Sequence, residues 1–255
     1  MVDMHQYYSQ ALKIVLEAGE LLLKGFKSPK EISTKKNDKD FVTQYDKLIE
    51  KKIIDNILQL YPNHKFIAEE SAASNILTEE PTWILDPIDG TTNFIQGFPF
   101  CCISLALVVE KDIIIGIVYN PIINQLFTAK KGEGAYLYNE KIQVSSTEDL
   151  QNAMFAHEIN DKISISHFRG SRSLGSAAMS LCYLAMGAVD IFSPKRLGLL
   201  KCWDVAAGIL IIQEAGGIVL DSKGSQYNDI MNADIFAACT KKLAENFLKL
   251  KNANI

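Results

Sequence analysis

The stretch WILDPIDGTTNF, residues 83–94, ends an apolar, strand-like lead-in on two aspartates three residues apart, Asp86 and Asp89. A small, hydroxyl-rich turn follows. Burying one carboxylate is costly, and burying two side by side costs more. At ~4 Å and an effective dielectric near 20, two such charges repel by roughly 4 kcal/mol. A positive partner is therefore expected. Further acidic residues sit where regular structure stops: Asp46 closes DFVTQYD, Glu69 and Glu70 close FIAEE, and Asp204 in KCWDVAAG precedes an apolar helix. Each has an ordinary alternative. Asp46 and Asp204 suit helix N-caps, Glu69 and Glu70 a solvated strand end, and Asp86 and Asp89 an Asx-stabilised turn. Taken together they suit hard divalent cations, which prefer carboxylate and carbonyl oxygens. The carbonyl of Ile88 lies between the two aspartates. The Gly90–Thr91 backbone and the Thr91 hydroxyl offer donors where an anion approaches. The chemistry implied is metal-assisted hydrolysis of a phosphate ester.

The elements that must position these residues follow from periodicity. Residues 5–26 read as an amphipathic helix, with Tyr8, Ala11, Leu12, Val15, Gly19, Leu22, Leu23 and Phe26 on one stripe. KSPKEISTKKNDKDF reads as a loop or a strand pair, and QYDKLIEKKIIDNILQLY as a second helix ending before Pro62. ISLALVVEKDIIIGIVYN reads as a hairpin turning at Glu110, Lys111 and Asp112, with two or three more strands in NQLFTAKKGEGAYLYNEKIQV. Beyond Gly170 the pattern alternates. SRSLGSAAMSLCYLAMG is helical, AVDIF a strand, DVAAGILIIQEAGG helical, GIVLD and DIFAAC strands, and 241–251 a terminal helix. An α+β half over 1–145 and an α/β half over 146–255 make one layered α/β domain.

The bulk composition agrees. The chain has 255 residues, 48% apolar and 22% charged, with a net charge of −4. This is an ordinary globular profile with no general affinity for nucleic acid. Five cysteines without metal-ligand spacing read as reduced, buried thiols. Cys202, beside Trp203, has no histidine base near it in the sequence and is taken as packing. The four histidines share no ligand spacing and are expected to be structural or on the surface. KKGEGAYLYN lacks the G-K-[ST] of a phosphate-binding P-loop. No apolar run reaches the ~20 residues of a membrane span, and the N-terminus lacks a signal-peptide pattern, so a cytoplasmic protein is expected.

FIAEES, WILDPIDGTTNF and CWDVAAG, in that order, resemble the inositol monophosphatase family of lithium-sensitive, Mg²⁺-dependent phosphatases. NDKDFVTQYD and RSLGSAA fit the family's other elements. The resemblance covers nearly the whole chain and implies the layered αβαβα sandwich shared with fructose-1,6-bisphosphatases, usually as a homodimer. It implies that Glu69, Asp86, the Ile88 carbonyl, Asp89 and Asp204 ligate two or three Mg²⁺ ions. Asp46 and Thr91 would form a hydrogen-bonded pair that deprotonates a water, with Glu69 on the same water. Gly90 and Thr91 would hold the phosphate. Gly175, Ser176 and Ala177 would line the alcohol part of the substrate, and Lys35 would lie on a loop near the third metal.

DGTTNF is the inositol monophosphatase form of this motif, whereas relatives acting on 3′-phosphoadenosine 5′-phosphate tend to read DGTK and classical fructose-1,6-bisphosphatases DGSSN. DFVTQYDK and FRGSRSLGSAA are especially similar to bacterial SuhB-type members. Two departures stand out. Members acting on inositol phosphate usually carry a Glu shortly before W-D, but residues 191–203, IFSPKRLGLLKCW, hold no acid. Lys195 and Arg196 stand there instead, either as a solvated turn or as a contact to a second phosphate. The segment 152–172 is shorter than usual, which bears on the substrate rim and the dimer contact. The expected activity is hydrolysis of a small phosphorylated polyol or sugar, inositol 1-phosphate by default. The alternatives are a fructose-1,6-bisphosphate or NADP/nucleotide phosphatase of the same fold, or a SuhB-like regulator binding the transcription machinery.

Overall fold

The computed structural model describes residues 3–34, 41–71, 76–158, 164–194 and 200–253. Two long helices come first, α1 (Met4–Phe26) and α2 (Gln44–Leu60), separated by a short antiparallel pair, β1 (Ile32–Thr34) and β2 (Phe41–Thr43). Seven strands then form one sheet in sequence order: β3 (Lys65–Ala68), β4 (Thr82–Asp89), β5 (Cys102–Val109), β6 (Asp112–Asn120), β7 (Gln125–Lys130), β8 (Gly134–Leu137) and β9 (Glu140–Ile142). All neighbours are antiparallel except β3 and β4. The short helix α3 (Thr91–Gln96) leaves the end of β4. The 110–112 hairpin carries Glu110 and Lys111 at positive φ, as a tight two-residue turn requires.

The second sheet has five strands in the order β11 (Gly170–Arg172), β10 (Met154–Glu158), β12 (Ile191–Pro194), β14 (Ile235–Ala238) and β13 (Ile218–Asp221). Strand β10 runs parallel to both its neighbours, and β14 antiparallel to both of its own. Between the sheets lie α4 (Ala177–Ala185) and α5 (Cys202–Glu214), and α6 (Lys241–Ala253) closes the far side. Three buried clusters define the layers. One joins α1 and α2 to the first sheet. A second fills the space around α4 and α5. The third stacks Phe155, Phe168, Phe236 and Phe247 between the second sheet and α6. The order is therefore helix, sheet, helix, sheet, helix.

One boundary differs from the sequence reading. The helix expected over SRSLGSAAMSLCYLAMG begins only at Ala177, because Ser176 caps it and accepts the Met179 N–H, while residues 170–172 pair as an edge strand. Segment 124–144 forms three strands, within the two or three expected. Among the described residues, no helix is long and apolar enough to cross a membrane.

The strand period sets the two faces of the first sheet. On β4, Trp83 and Leu85 face α1 and α2, while Ile84 faces α5; on β5, Ile103, Leu105 and Leu107 alternate with Cys102, Ala106 and Val108 in the same way. Asp86 shares the parity of Ile84 and so faces α5.

Candidate active site

Strict alternation would put Asp86 and Asp89 on opposite faces, because they are three residues apart. A bulge prevents this. From Asp86 to Asp89 strand β4 advances three residues while its partner β5 advances two, from Ser104 to Cys102. Pro87, which has no N–H to pair, sits inside the bulge. Asp89 is thereby turned to the face of Cys102, toward the N-terminus of α4. Its Oδ2 accepts hydrogen bonds from Ser176 Oγ at 2.6 Å and the Ala178 N–H at 2.7 Å. The Asp86 Oδ1 accepts the Ile88 N–H at 3.0 Å, an Asx-type bond. Both aspartates are buried.

Asp204 arrives from the other half of the chain on the first turn of α5. It is the third residue of that helix, not its cap, and its Oδ2 accepts the Lys201 N–H at 2.5 Å. Ser104 Oγ donates to the Trp203 carbonyl at 3.1 Å and fixes this turn against β5. One oxygen each from Asp86, Asp89 and Asp204 lie within 4.8 Å of one another. Burial first, then the neighbouring carboxylates Glu69, Asp89 and Asp204, push the Asp86 carboxyl well up. Burial raises Asp89 to about 6, against the opposing hydrogen bonds from Ser176 and Ala178. Burial and the Asp89 charge raise Asp204 to about 8. Several ionised carboxylates in one enclosed space strain it electrostatically, and a cation relieves that strain. The donors are all oxygen, with the Ile88 carbonyl between the aspartates, which fits a hard divalent ion.

Asp46 also occupies the third position of its helix. Its Oδ2 accepts both the Thr43 N–H at 2.8 Å and the Thr43 hydroxyl at 2.6 Å, closing a capping box. Its Oδ1 is 3.3 Å from Thr91 Oγ1, which also donates to the Ile88 carbonyl at 3.0 Å. One Thr91 proton is therefore shared between two acceptors. Glu69 follows β3, and its N–H is held by the Leu85 carbonyl at 3.2 Å. Glu50 was missed from sequence. It is 3% exposed on the buried face of α2, with Ile49, Ile53 and Ile57, and its Oε2 accepts the Glu70 N–H at 2.8 Å. A glutamate in register with an apolar stripe is the signal that would have found it.

Gly90 caps α3 in the left-handed region at φ 90°, and a Cβ there would come within 2.9 Å of the Phe100 carbonyl and 3.1 Å of the Gly175 carbonyl. Only glycine lets the turn at 175 approach the DGTT loop this closely. Gly175 is exposed, whereas Ser176 and Ala177 are buried and the Ser176 hydroxyl is occupied by Asp89. Cys202 is buried and its thiol is pushed up to about 12, mainly by burial, which suits packing and not nucleophilic attack. His5 pairs with Glu133 at the surface, and His64 is buried against Trp83. Lys35, Lys195 and Arg196 lie outside the described residues.

A five-layered sandwich with a buried carboxylate cluster at a strand end beside a glycine-led turn defines a class of metal-dependent phosphoric monoester hydrolases. The model of the inositol monophosphatase family matches residues 3–255. Inositol monophosphatase 2 of Solanum lycopersicum is 41% identical over 98% of this chain and 99% of its own. Inositol monophosphatase 1 of Bos taurus is 38% identical, covering 94% and 91%. Among solved structures, an IMPase of Thermotoga maritima superposes with a TM-score of 0.89 at 30% identity, covering 98% of both chains. The extragenic suppressor protein SuhB of Bartonella henselae does so with 0.89 at 31%, covering 98% of this chain and all of the other. The chain belongs to the inositol monophosphatase family and is a phosphatase.

Proposed function

We propose that the protein is a Mg²⁺-dependent phosphomonoesterase acting on a small phosphorylated polyol, with inositol 1-phosphate as its first candidate. The observation that carries this reading is the convergence of Asp86, Asp89 and Asp204 within 4.8 Å, beside the Asp46–Thr91 pair. Glu69, Asp86, the Ile88 carbonyl, Asp89 and Asp204 would hold two or three Mg²⁺ ions. Bound there, Mg²⁺ supplies the positive charge that offsets the carboxylates and the charge developing on a phosphate oxygen.

The chain's own groups do the rest. The Gly90–Thr91 backbone faces the phosphate. Thr91 Oγ1, held by the Ile88 carbonyl, presents its hydroxyl toward Asp46 Oδ1. Asp46 Oδ2 accepts from Thr43, and Oδ1, which faces the Thr91 hydroxyl, would take a proton passed through Thr91 from the attacking water. Glu69 orients that water from the other side. This is general base catalysis through a hydroxyl. The protein would work as a homodimer in the cytoplasm, and lithium would inhibit it.

The test is phosphate release from inositol 1-phosphate, fructose 1,6-bisphosphate, 3′-phosphoadenosine 5′-phosphate and NADP, with and without Mg²⁺ and with Asp89→Asn as control. Mg²⁺-dependent turnover of inositol 1-phosphate that vanishes in the variant supports the reading. A ranking led by doubly phosphorylated substrates points instead to Lys195 and Arg196. No turnover of any substrate shifts the reading to a regulator of the transcription machinery, and a pull-down from cell extract with the Asp89→Asn variant then tests that.

A further inference from the structure

Asn93, in the middle of α3, takes no part in the chemistry described above. Its side chain nevertheless bridges segments far apart in the chain. The Nδ2 donates to the Phe100 carbonyl at 2.7 Å and to the Leu174 carbonyl at 2.7 Å, using both amide hydrogens. The second bond spans 81 residues and ends on the turn that leads into α4. The amide also fills the space that a side chain at Gly175 would need, since a Cβ there would stand 3.0 Å from both Asn93 Nδ2 and Oδ1. The turn is thus gripped from two sides. Asn93 holds the Leu174 carbonyl and lies against Gly175, while Asp89 holds Ser176 and Ala178. A Cβ at Gly90 would stand 3.1 Å from the Gly175 carbonyl, so the bare glycine lets the turn come close.

We propose that Asn93 is a positioning residue for substrate selectivity: it fixes the Leu174–Gly175 turn against the phosphate loop and so sets the wall that meets the alcohol part of the substrate. The proposal rests on the phosphatase reading and adds a residue to it. The two grips have separate consequences. Asp89 keeps its bonds to Ser176 and Ala178 without Asn93, so the carboxylate cluster stays assembled. Among the described residues, the hydrogen bond from the phosphate loop to the Leu174–Gly175 wall is the one that the Asn93 amide makes. Loss of the amide therefore acts on the fit of the alcohol more than on the hydrolytic step.

The test compares two substrates on the full-length, Mg²⁺-loaded protein. Inositol 1-phosphate presents hydroxyls to the wall, whereas p-nitrophenyl phosphate presents a flat ring with none. The variants are Asn93→Asp and Asn93→Ala. Aspartate has almost the same shape as asparagine, but its carboxylate faces two carbonyl oxygens with no hydrogen to give. Asn93→Asp is expected to raise the KM for inositol 1-phosphate about tenfold, with kcat/KM for p-nitrophenyl phosphate within about twofold of the parent. Asn93→Ala is expected to follow in the same direction with a smaller effect. If Asn93 only fills space, Asn93→Asp behaves as the parent, and the proposal is overturned. Equal losses on both substrates overturn it as well, because the brace then serves the general machinery.

Hydrogen exchange reads the brace without turnover. Amides of 174–176 should exchange at least about tenfold faster in Asn93→Asp, while those of β5 are unchanged. Unchanged exchange at 174–176 refutes the brace even where kinetics shift. A parent protein that hydrolyses neither substrate overturns the phosphatase reading, and the selectivity proposal with it, while the exchange result still separates that failure from a failure of the brace.

Discussion

Replacing Asp89 by Asn should kill the enzyme and at the same time stabilise the metal-free protein. Asp89 is 7% exposed, and burial raises its carboxyl from the ordinary 3.8 to about 6. A group whose folded value is raised stabilises the fold fully at pH below its unfolded value, and that contribution is lost as pH rises through the folded one. At pH 8 the ionised Asp89 therefore works against the fold. A rise from 3.8 to about 6, at roughly 1.4 kcal/mol for each pH unit, amounts to about 3 kcal/mol. Asn has the same shape. Its carbonyl can keep the bonds from Ser176 Oγ and the Ala178 N–H, and its amide hydrogens face the Asp86 and Asp204 carboxylates. Part of the gain is offset by burying the amide, which leaves ~2–3 kcal/mol, or roughly 5–10 °C in Tm for a chain of this size. The assay is calorimetry of chelator-treated protein at pH 8 and pH 4.5. The variant should melt higher at pH 8, and the gap should largely close at pH 4.5. Mg²⁺ should raise the Tm of the parent more than that of the variant. A variant that melts lower than the parent at pH 8, or a gap independent of pH, would refute the reasoning.

Thr91→Ala removes the hydroxyl between Asp46 Oδ1 and the Ile88 carbonyl, and kcat should fall about 10²–10⁴-fold with little change in fold, whereas Thr91→Ser should retain most activity; steady-state kinetics decides. Glu50→Ala removes the carboxylate that accepts the half-buried Glu70 N–H, costing about 1–3 kcal/mol in denaturant titrations and raising the Mg²⁺ concentration needed for half-maximal rate, while Glu50→Gln keeps the acceptor and most of both. His64 Nδ1 accepts the Trp83 indole N–H at 3.0 Å, and burial lowers the His64 pKa. Its contribution is therefore present above its unfolded value near 6.5 and lost as pH falls through its folded one, so His64→Gln, which cannot be protonated, should flatten the stability change between pH 7 and 5.

How much of this was written in the sequence depends on how local each feature is. Helices α1, α2 and α5 were legible because a 3.6-residue apolar stripe is a local property, and the strands of the first sheet because short apolar runs bounded by turn residues are local too. The carboxylates themselves were legible as residue types at strand and helix ends. What the sequence misplaced was also local but competed for. Asp46 and Asp204 suited N-caps, yet both stand at the third helical position, where one oxygen returns to the cap residue's N–H and the side chain still points into the site. Edge strand β11 was absorbed into the helix that follows it, because SRSLG carries no strand period of its own.

By itself, then, the sequence determined to which family the chain belongs and offered the carboxylates of the candidate site, since both are carried by contiguous motifs. The tertiary structure decided where those atoms meet. Three residues of β4 oppose two of β5, and only that pairing turns Asp89 to the face of Asp86. Asp204 joins them because α5 is buried between the two sheets. Glu50 meets Glu70, and Asn93 meets Leu174, only across packed layers. Pairing register and layer order are fixed by the apolar burial summed over all five layers, and no short stretch of residues holds that sum.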